Sequence, residues 1–133
     1  MGMRQCSKDE MGYTPFIHAA ESGHEAVVRL LLETGQVDVN VSSYYGFTPL
    51  ATAAENGHDA VVKLLLETGE VDVNATSFEP LTPIYLSVRG GHTTVVKLLL
   101  GTGQIDLDIK DDEGRTALTY AAELGQQEAI VRM

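Results

Sequence analysis

A 34-residue internal repeat organises this chain. Thr14, Thr48, Thr82 and Thr116 follow one another at intervals of 34 residues, and the first three each precede a proline. Glycines recur with the same period at Gly23, Gly57, Gly91 and Gly125. A fixed period of this length is typical of repeat architectures, in which each unit packs on its neighbours. The repetition therefore predicts an elongated stack of units rather than a fold around one compact centre.

The period sets the predicted boundaries of the units. These are an N-terminal tail at 1–8, repeat 1 at 9–42, repeat 2 at 43–76, repeat 3 at 77–110 and a truncated repeat 4 at 111–133. In repeat 1, Thr14 suits a helix N-cap and Pro15 suits the first helical position. This short helix is expected to end at Gly23, and a second helix is predicted near 25–34. Alternating valines in QVDVN then indicate an extended loop.

These residues resemble an ankyrin repeat. The stretch GYTPFIHAAESGHEAVVRLLLETGQVDVN carries the resemblance, and residues 9–133 all follow its pattern. The resemblance implies an α-helical solenoid of stacked helix pairs with projecting β-hairpin loops. It also implies a non-enzymatic scaffold for protein–protein interaction. The family's usual period is one residue shorter, and its usual histidine after Thr-Pro-Leu is replaced here by Ile17, Ala51, Tyr85 and Thr119.

Repeat 3 departs further from the pattern. Pro80 stands where the resemblance places a turn glycine, and Ser87-Val88 replaces a pair of alanines. Proline fixes φ where glycine would allow a positive value. We therefore expect this hairpin to be distorted and to open easily.

The segment SSYYGFTPL concentrates aromatic residues beside a turn glycine. The resemblance places these side chains and their counterparts in the other repeats at hairpin tips that contact a partner. The predicted tip residues are Glu10, Met11, Tyr13, Tyr44, Tyr45, Phe47, Phe78, Glu79, Leu81, Asp112, Glu113 and Arg115. Tyrosine is enriched in interface hot spots. Packing on the adjacent hairpin is the alternative, above all for Phe47.

A second predicted contact region lies on the concave face, which the first helices should line. Glu21, Glu55 and Glu123 occupy equivalent positions near the ends of these helices, with Arg89 interrupting the series. Repeated carboxylates would attract Lys- or Arg-bearing segments. The alternative is a solvated face without a binding role.

The charge of the chain narrows the classes of partner. Nine Lys and Arg residues against nineteen Asp and Glu residues give a net charge of −10. Nucleic acid and anionic membrane surfaces are disfavoured, and a basic protein or peptide is favoured. Cys6 is the only cysteine and the N-terminus has no apolar signal-peptide core, so we expect an intracellular protein, cytoplasmic or nuclear.

No catalytic motif or metal-binding spacing is present in the sequence. His24, His58 and His92 recur with the repeat, but neighbouring stacked helices lie about 8–10 Å apart, so three such histidines cannot converge on one metal. They are predicted to be structural, and Asp111-Asp112 is predicted to be a solvated turn. We expect no enzyme activity and no cofactor.

The C-terminal segment GQQEAIVRM fits the second-helix pattern only with one inserted residue. An uncapped apolar end is therefore expected, which would permit self-association. Two other functions stay open: a regulatory or sensor segment of a larger protein, and a groove that binds a small molecule or is catalytic.

Overall fold

The computed structural model describes residues 12–128 and shows a stack of helices. Tip residues Glu10 and Met11 lie outside the described residues. The described helices are α1 (Pro15–Ser22), α2 (Glu25–Thr34), α3 (Pro49–Glu55), α4 (Asp59–Glu67), α5 (Pro83–Arg89), α6 (Thr93–Leu100) and α7 (Ala117–Glu128). They form two rows, because α1, α3, α5 and α7 pack in succession and α2, α4 and α6 do the same. The predicted α-helical solenoid is confirmed.

The first helix of each pair begins as the sequence predicts. The hydroxyl oxygens of Thr14, Thr48 and Thr82 accept hydrogen bonds of 3.1–3.2 Å from the backbone N–H three residues later. A proline follows each threonine at the first helical position, where a missing N–H costs nothing. Repeated N-caps therefore fix the start of α1, α3 and α5.

The hydrophobic core is one continuous seam between the two rows. Ala53 and Ala54 in α3 and Val61 and Leu65 in α4 have no exposed surface. Small alanines on the first helices let the second helices approach closely. Val39, in the loop after α2, is also buried, so the alternating valines turn inward onto the seam.

Two asparagines join the loops of successive repeats. The side-chain amide of Asn40 donates to the Glu70 carbonyl (3.0 Å), and its oxygen accepts from the Asp72 N–H (2.7 Å). Asn74 makes the same pair of hydrogen bonds to repeat 3, at 2.9 and 2.8 Å. Neighbouring loops are thus held in register by side chains.

The projecting loops form tight turns instead of strands within residues 12–128. The Ser43 N–H donates to the Phe47 carbonyl at 2.9 Å, and Ser77 and Leu81 repeat this bond at 3.1 Å. One such bond closes each turn, which is too little pairing for a ladder. The hairpins expected from the resemblance are therefore present as turns without β-strands.

Repeat 4 differs from the earlier repeats at its glycine. Helix α7 continues through Gly125 to Glu128 and has twelve residues, whereas α1, α3 and α5 have seven or eight. Glutamine and glutamate after the glycine are good helix formers. Helix α7 therefore does not end before the glycine that matches Gly23.

Candidate partner-binding surface

A buried polar residue supports each hairpin turn from inside. The hydroxyl of Ser43 accepts from the Phe47 N–H at 3.2 Å, and the hydroxyl of Ser77 accepts from the Leu81 N–H at 3.3 Å. Asp111 takes the same place in repeat 4, where its carboxylate accepts from two backbone N–H groups at 2.9 Å. All three side chains are buried. The residue after each one is directed outward at the tip of the turn.

Three aromatic side chains on two neighbouring tips are exposed to solvent. Tyr44 is 57% exposed, Tyr45 is 52% exposed and Phe78 is 76% exposed. The Phe78 N–H donates to the Tyr45 carbonyl at 3.1 Å, so the two tips are in direct contact. We call these three residues the aromatic tip surface. Exposed aromatic side chains on adjacent turns make this surface a candidate interaction site.

Tyr44 also packs within the stack. A Cβ atom added to Gly12 would lie 2.6 Å from Cδ1 of the Tyr44 ring, so the ring rests against the backbone of repeat 1. Gly12 has a φ of +81°, which a side chain would strain in any case. Tyr44 therefore combines an exposed face with a contact between repeats.

Three predicted tip residues lie partly or wholly inward instead. Leu81 is 5% exposed and belongs to the core, so its assignment as a partner-binding residue is wrong. Phe47 is half-buried against the same core, and Tyr13 is half-buried with its ring centroid 5.1 Å from that of His18. Each of the three precedes the N-cap threonine. A hydrophobic residue there commonly packs back on the helix that follows.

The turn of repeat 4 is bound to repeat 3 by a buried hydrogen bond. The Tyr85 hydroxyl donates to Oδ2 of Asp111 at 2.6 Å. This bond and the backbone N–H donors lower the pKa of Asp111 to about 2. Burial, together with the same carboxylate, raises the pKa of Tyr85 to about 12. The prediction of a solvated Asp111 is wrong, because the carboxylate supports the turn from inside.

Arg115 is held by several neighbours and is not an outward-facing tip residue. Its guanidinium lies 2.8 Å from Glu113, 3.2 Å from Glu123 and 3.4 Å from Asp111. It also lies 5.3 Å from the ring centroid of Tyr120, within cation–π range. Sequence reasoning missed this cluster, although a tyrosine in place of the family's histidine at position 85 was a signal for it.

The carboxylates predicted for the concave face all have basic neighbours. Glu55 lies 3.4 Å from Arg89 of the next repeat, and Glu21 lies 3.7 Å from the His18 imidazole. Glu123 pairs with Arg115 at 3.2 Å. Arg89 does not merely interrupt the series, since it links repeats 2 and 3. Two of the three carboxylates are therefore paired with arginine, and this row is not a run of open carboxylates.

The comparison with protein-family models identifies a family. A model of ankyrin repeats matches three copies, over residues 2–77 and 69–133. The chain belongs to the ankyrin repeat family. No curated protein matches it significantly. Ankyrin repeats are generally protein–protein interaction modules and are typically non-enzymatic, so protein binding is the function class of this ankyrin repeat protein.

Two of the periodic histidines of this ankyrin repeat protein, His58 and His92, lie at the junctions between repeats. Cβ atoms added to Gly23 and Gly57 would lie 2.6 and 2.4 Å from the rings of His58 and His92. Nε2 of His92 is also 3.0 Å from the Glu55 carbonyl. Each ring thus packs on the turn of the preceding repeat, which agrees with the predicted structural role.

Residues 12–128 contain neither a metal-binding group nor a membrane-crossing helix. No group of three or more His, Cys, Asp or Glu side chains in this range is arranged to hold a metal ion. No helix in the same range combines the length and hydropathy needed to cross a membrane.

Proposed function

We propose that this ankyrin repeat array is a non-enzymatic scaffold that binds a protein or peptide partner mainly through its hairpin tips. The aromatic tip surface is the observation that carries the proposal. Tyr44, Tyr45 and Phe78 expose more than half of their surface on turns that buried hydrogen bonds hold in place. Rigid aromatic anchors lose little conformational entropy on binding and dominate interface energetics.

The charge of the chain supports a partner with basic residues. A net charge of −10 attracts a cationic segment at long range and raises the rate of encounter. The concave carboxylates contribute to this field, although each already has a basic neighbour. We therefore assign the tips the larger part of the binding energy and the concave row a supporting part.

Affinity capture with a double variant tests the proposal. The tagged chain and its Tyr44→Ala/Tyr45→Ala variant are used to capture proteins from the cell that expresses the gene, and the captured proteins are identified by mass spectrometry. We expect the double variant to lose the specific partner, because its apolar anchors are gone. Its melting temperature should fall only slightly, through loss of the Tyr44 contact with Gly12.

A matched control uses an exposed apolar residue on the other row. Leu30 is 62% exposed on α2, away from the tips, and Leu30→Ala removes a similar apolar surface. The control should keep the partner. Retention of the partner by the double variant, or equal loss by Leu30→Ala, would show that the tips are not the binding surface.

A further inference from the structure

Two carboxylates at the tips differ from the other acidic residues of the binding surface. Within residues 12–128, Glu79 and Asp112 are exposed and neither forms an ion pair. Glu113, by contrast, pairs with Arg115 at 2.8 Å. A partner can therefore reach the charge of Glu79 and Asp112 without breaking an existing pair. These two residues are the open acidic groups of the tips.

The two open carboxylates lie on the turn that carries Phe78 and on the turn of the next repeat. Glu79 directly follows Phe78, and Asp112 takes the same turn position one repeat later, directly after Asp111. On the other side, the Phe78 N–H is bonded to the Tyr45 carbonyl. The tips thus change from aromatic in repeat 2, through aromatic and acidic in repeat 3, to acidic in repeat 4.

Aromatic tips followed by acidic tips are complementary to a peptide that carries basic side chains. An aromatic ring beside a carboxylate binds a guanidinium or ammonium group through cation–π attraction and charge pairing. Successive repeats are spaced by about 8–10 Å, the distance between packed helices. An extended chain advances about 3.3 Å per residue, so one to two repeats correspond to about three to six residues of a bound peptide.

We propose that these tips bind an extended basic segment of a partner protein, and we call the site the tip strip: Tyr44, Tyr45, Phe78, Glu79 and Asp112. An apolar side chain of the segment lies on the two tyrosines. An Arg or Lys about three to six residues along the segment lies against the ring of Phe78 and pairs with the two carboxylates. The site rests on the proposed scaffold function and adds the chemistry and spacing of the partner.

Peptide selection on the intact chain tests the tip strip. A random library of peptides about 12 residues long, enough to cross the three tips, is selected on the full chain. Enriched sequences are then synthesised with a fluorescein label and measured by fluorescence anisotropy. We expect an apolar residue and an Arg or Lys at the stated spacing. Phe78→Ser should weaken binding by about 10-fold, as expected for an interface anchor.

Charge variants separate the ionic contribution from the apolar one. Glu79→Gln and Asp112→Asn keep the shape of each side chain and should each weaken binding by about two- to five-fold, with a smaller dependence on salt. Glu67→Gln is the matched control, because Glu67 is an exposed carboxylate at the end of α4, in the other row of helices and away from the tips. This control should change the affinity by less than about two-fold.

The outcomes distinguish this inference from the scaffold function. Selected peptides without a basic residue, or binding that Phe78→Ser, Glu79→Gln and Asp112→Asn leave unchanged, would overturn the tip strip and leave the scaffold standing. A failure to select any peptide on the folded chain would also overturn the strip. The scaffold function is judged separately, by partner capture with the double tyrosine variant and the Leu30→Ala control.

Discussion

Replacing Pro80 with glycine should stabilise the protein. Gly46 and Gly114 hold the matching position of the turns in repeats 2 and 4, with φ values of +87° and +80°. Pro80 is forced to a φ of +21°, far from the value near −65° that its ring prefers. The N–H groups of Gly46 and Gly114 also donate to the carbonyls of Ser43 and Asp111, at 2.9 and 3.0 Å. Proline has no N–H to repeat this bond.

The gain can be worked out from these two differences. A residue in a sparsely populated backbone conformation costs about 1–3 kcal/mol, and the restored hydrogen bond adds roughly 0.5–1.5 kcal/mol. Glycine also increases the conformational entropy of the unfolded chain, which reduces the gain in stability by about 0.4–1 kcal/mol. The net expectation for Pro80→Gly is about 0.5–4 kcal/mol of added stability. For a chain of this length each kcal/mol raises the melting temperature by about 4 °C.

Circular dichroism during thermal and urea unfolding measures this change. Pro15→Gly is the matched control, because Pro15 is an exposed residue at the first position of α1, where proline is favourable. The free energy of unfolding of this control variant should be about 0.5–1 kcal/mol lower than that of the wild type. In the wild type, amide hydrogen exchange should be faster across 77–90 than across 43–56, and Pro80→Gly should remove that difference. A Pro80→Gly protein no more stable than the wild type would refute the assignment of strain to this turn.

Four other changes test the contacts between repeats by urea unfolding. Tyr85→Phe should cost about 1.5–3 kcal/mol, because it removes a hydrogen bond to a buried carboxylate. The pKa of Asp111 falls from 3.8 to about 2 on folding, so its contribution to the free energy of unfolding should be present above pH 4 and lost as the pH falls towards 2. In Asp111→Asn, the free energy of unfolding should lack this contribution to its pH dependence between pH 5 and 2. Gly57→Ala should cost about 1–3 kcal/mol more than Gly69→Ala, because both have a φ of +73° but only the first places a Cβ against the histidine of the next repeat. Equal losses would argue against that packing. Asn74→Asp should cost about 1 kcal/mol by removing the donor to the next loop, and no loss would show that the bridge is dispensable.

The sequence was sufficient to predict the stack and the starts of its helices. Thr14, Thr48 and Thr82 cap α1, α3 and α5 as expected, because a threonine followed by proline specifies a helix start through local geometry alone. The repeat period then placed the helices in two rows. These features of the fold can be predicted without tertiary information, because they depend on local sequence signals that recur at a fixed interval.

The direction of side chains at the tips could not be predicted in the same way. Leu81 and Phe78 are three residues apart on one turn, yet the first is 5% exposed and the second is 76% exposed. Asp111 and Asp112 are adjacent acids, and only the first is buried. The turn decides these orientations through its hydrogen bonds, and a hydrophobic or acidic residue type does not reveal which side of the turn it occupies.

Position in the stack also changes the environment of identical residues. Val27, Val61 and Val95 share one place in the repeat, but Val27 is 45% exposed and the other two are buried. Val61 and Val95 belong to repeats that follow another described repeat in the stack, whereas Val27 belongs to the first described repeat. Burial therefore depends on the neighbouring unit as well as on the repeated sequence, as expected for a stack stabilised by contacts between adjacent repeats.

The division between repeated and varied positions explains where binding is expected. The residues that recur hold the stack together: His58 and His92 pack on the turns, and Asn40 and Asn74 bridge the loops. A change at any of these positions would weaken a junction between repeats. The outward tip positions change from tyrosine to phenylalanine to aspartate along the stack without altering the turn beneath them. Because the hydrogen bonds of the turns do not depend on the residue type at these positions, their chemistry is available for selection by a partner, and we propose that a partner recognises their order from aromatic to acidic.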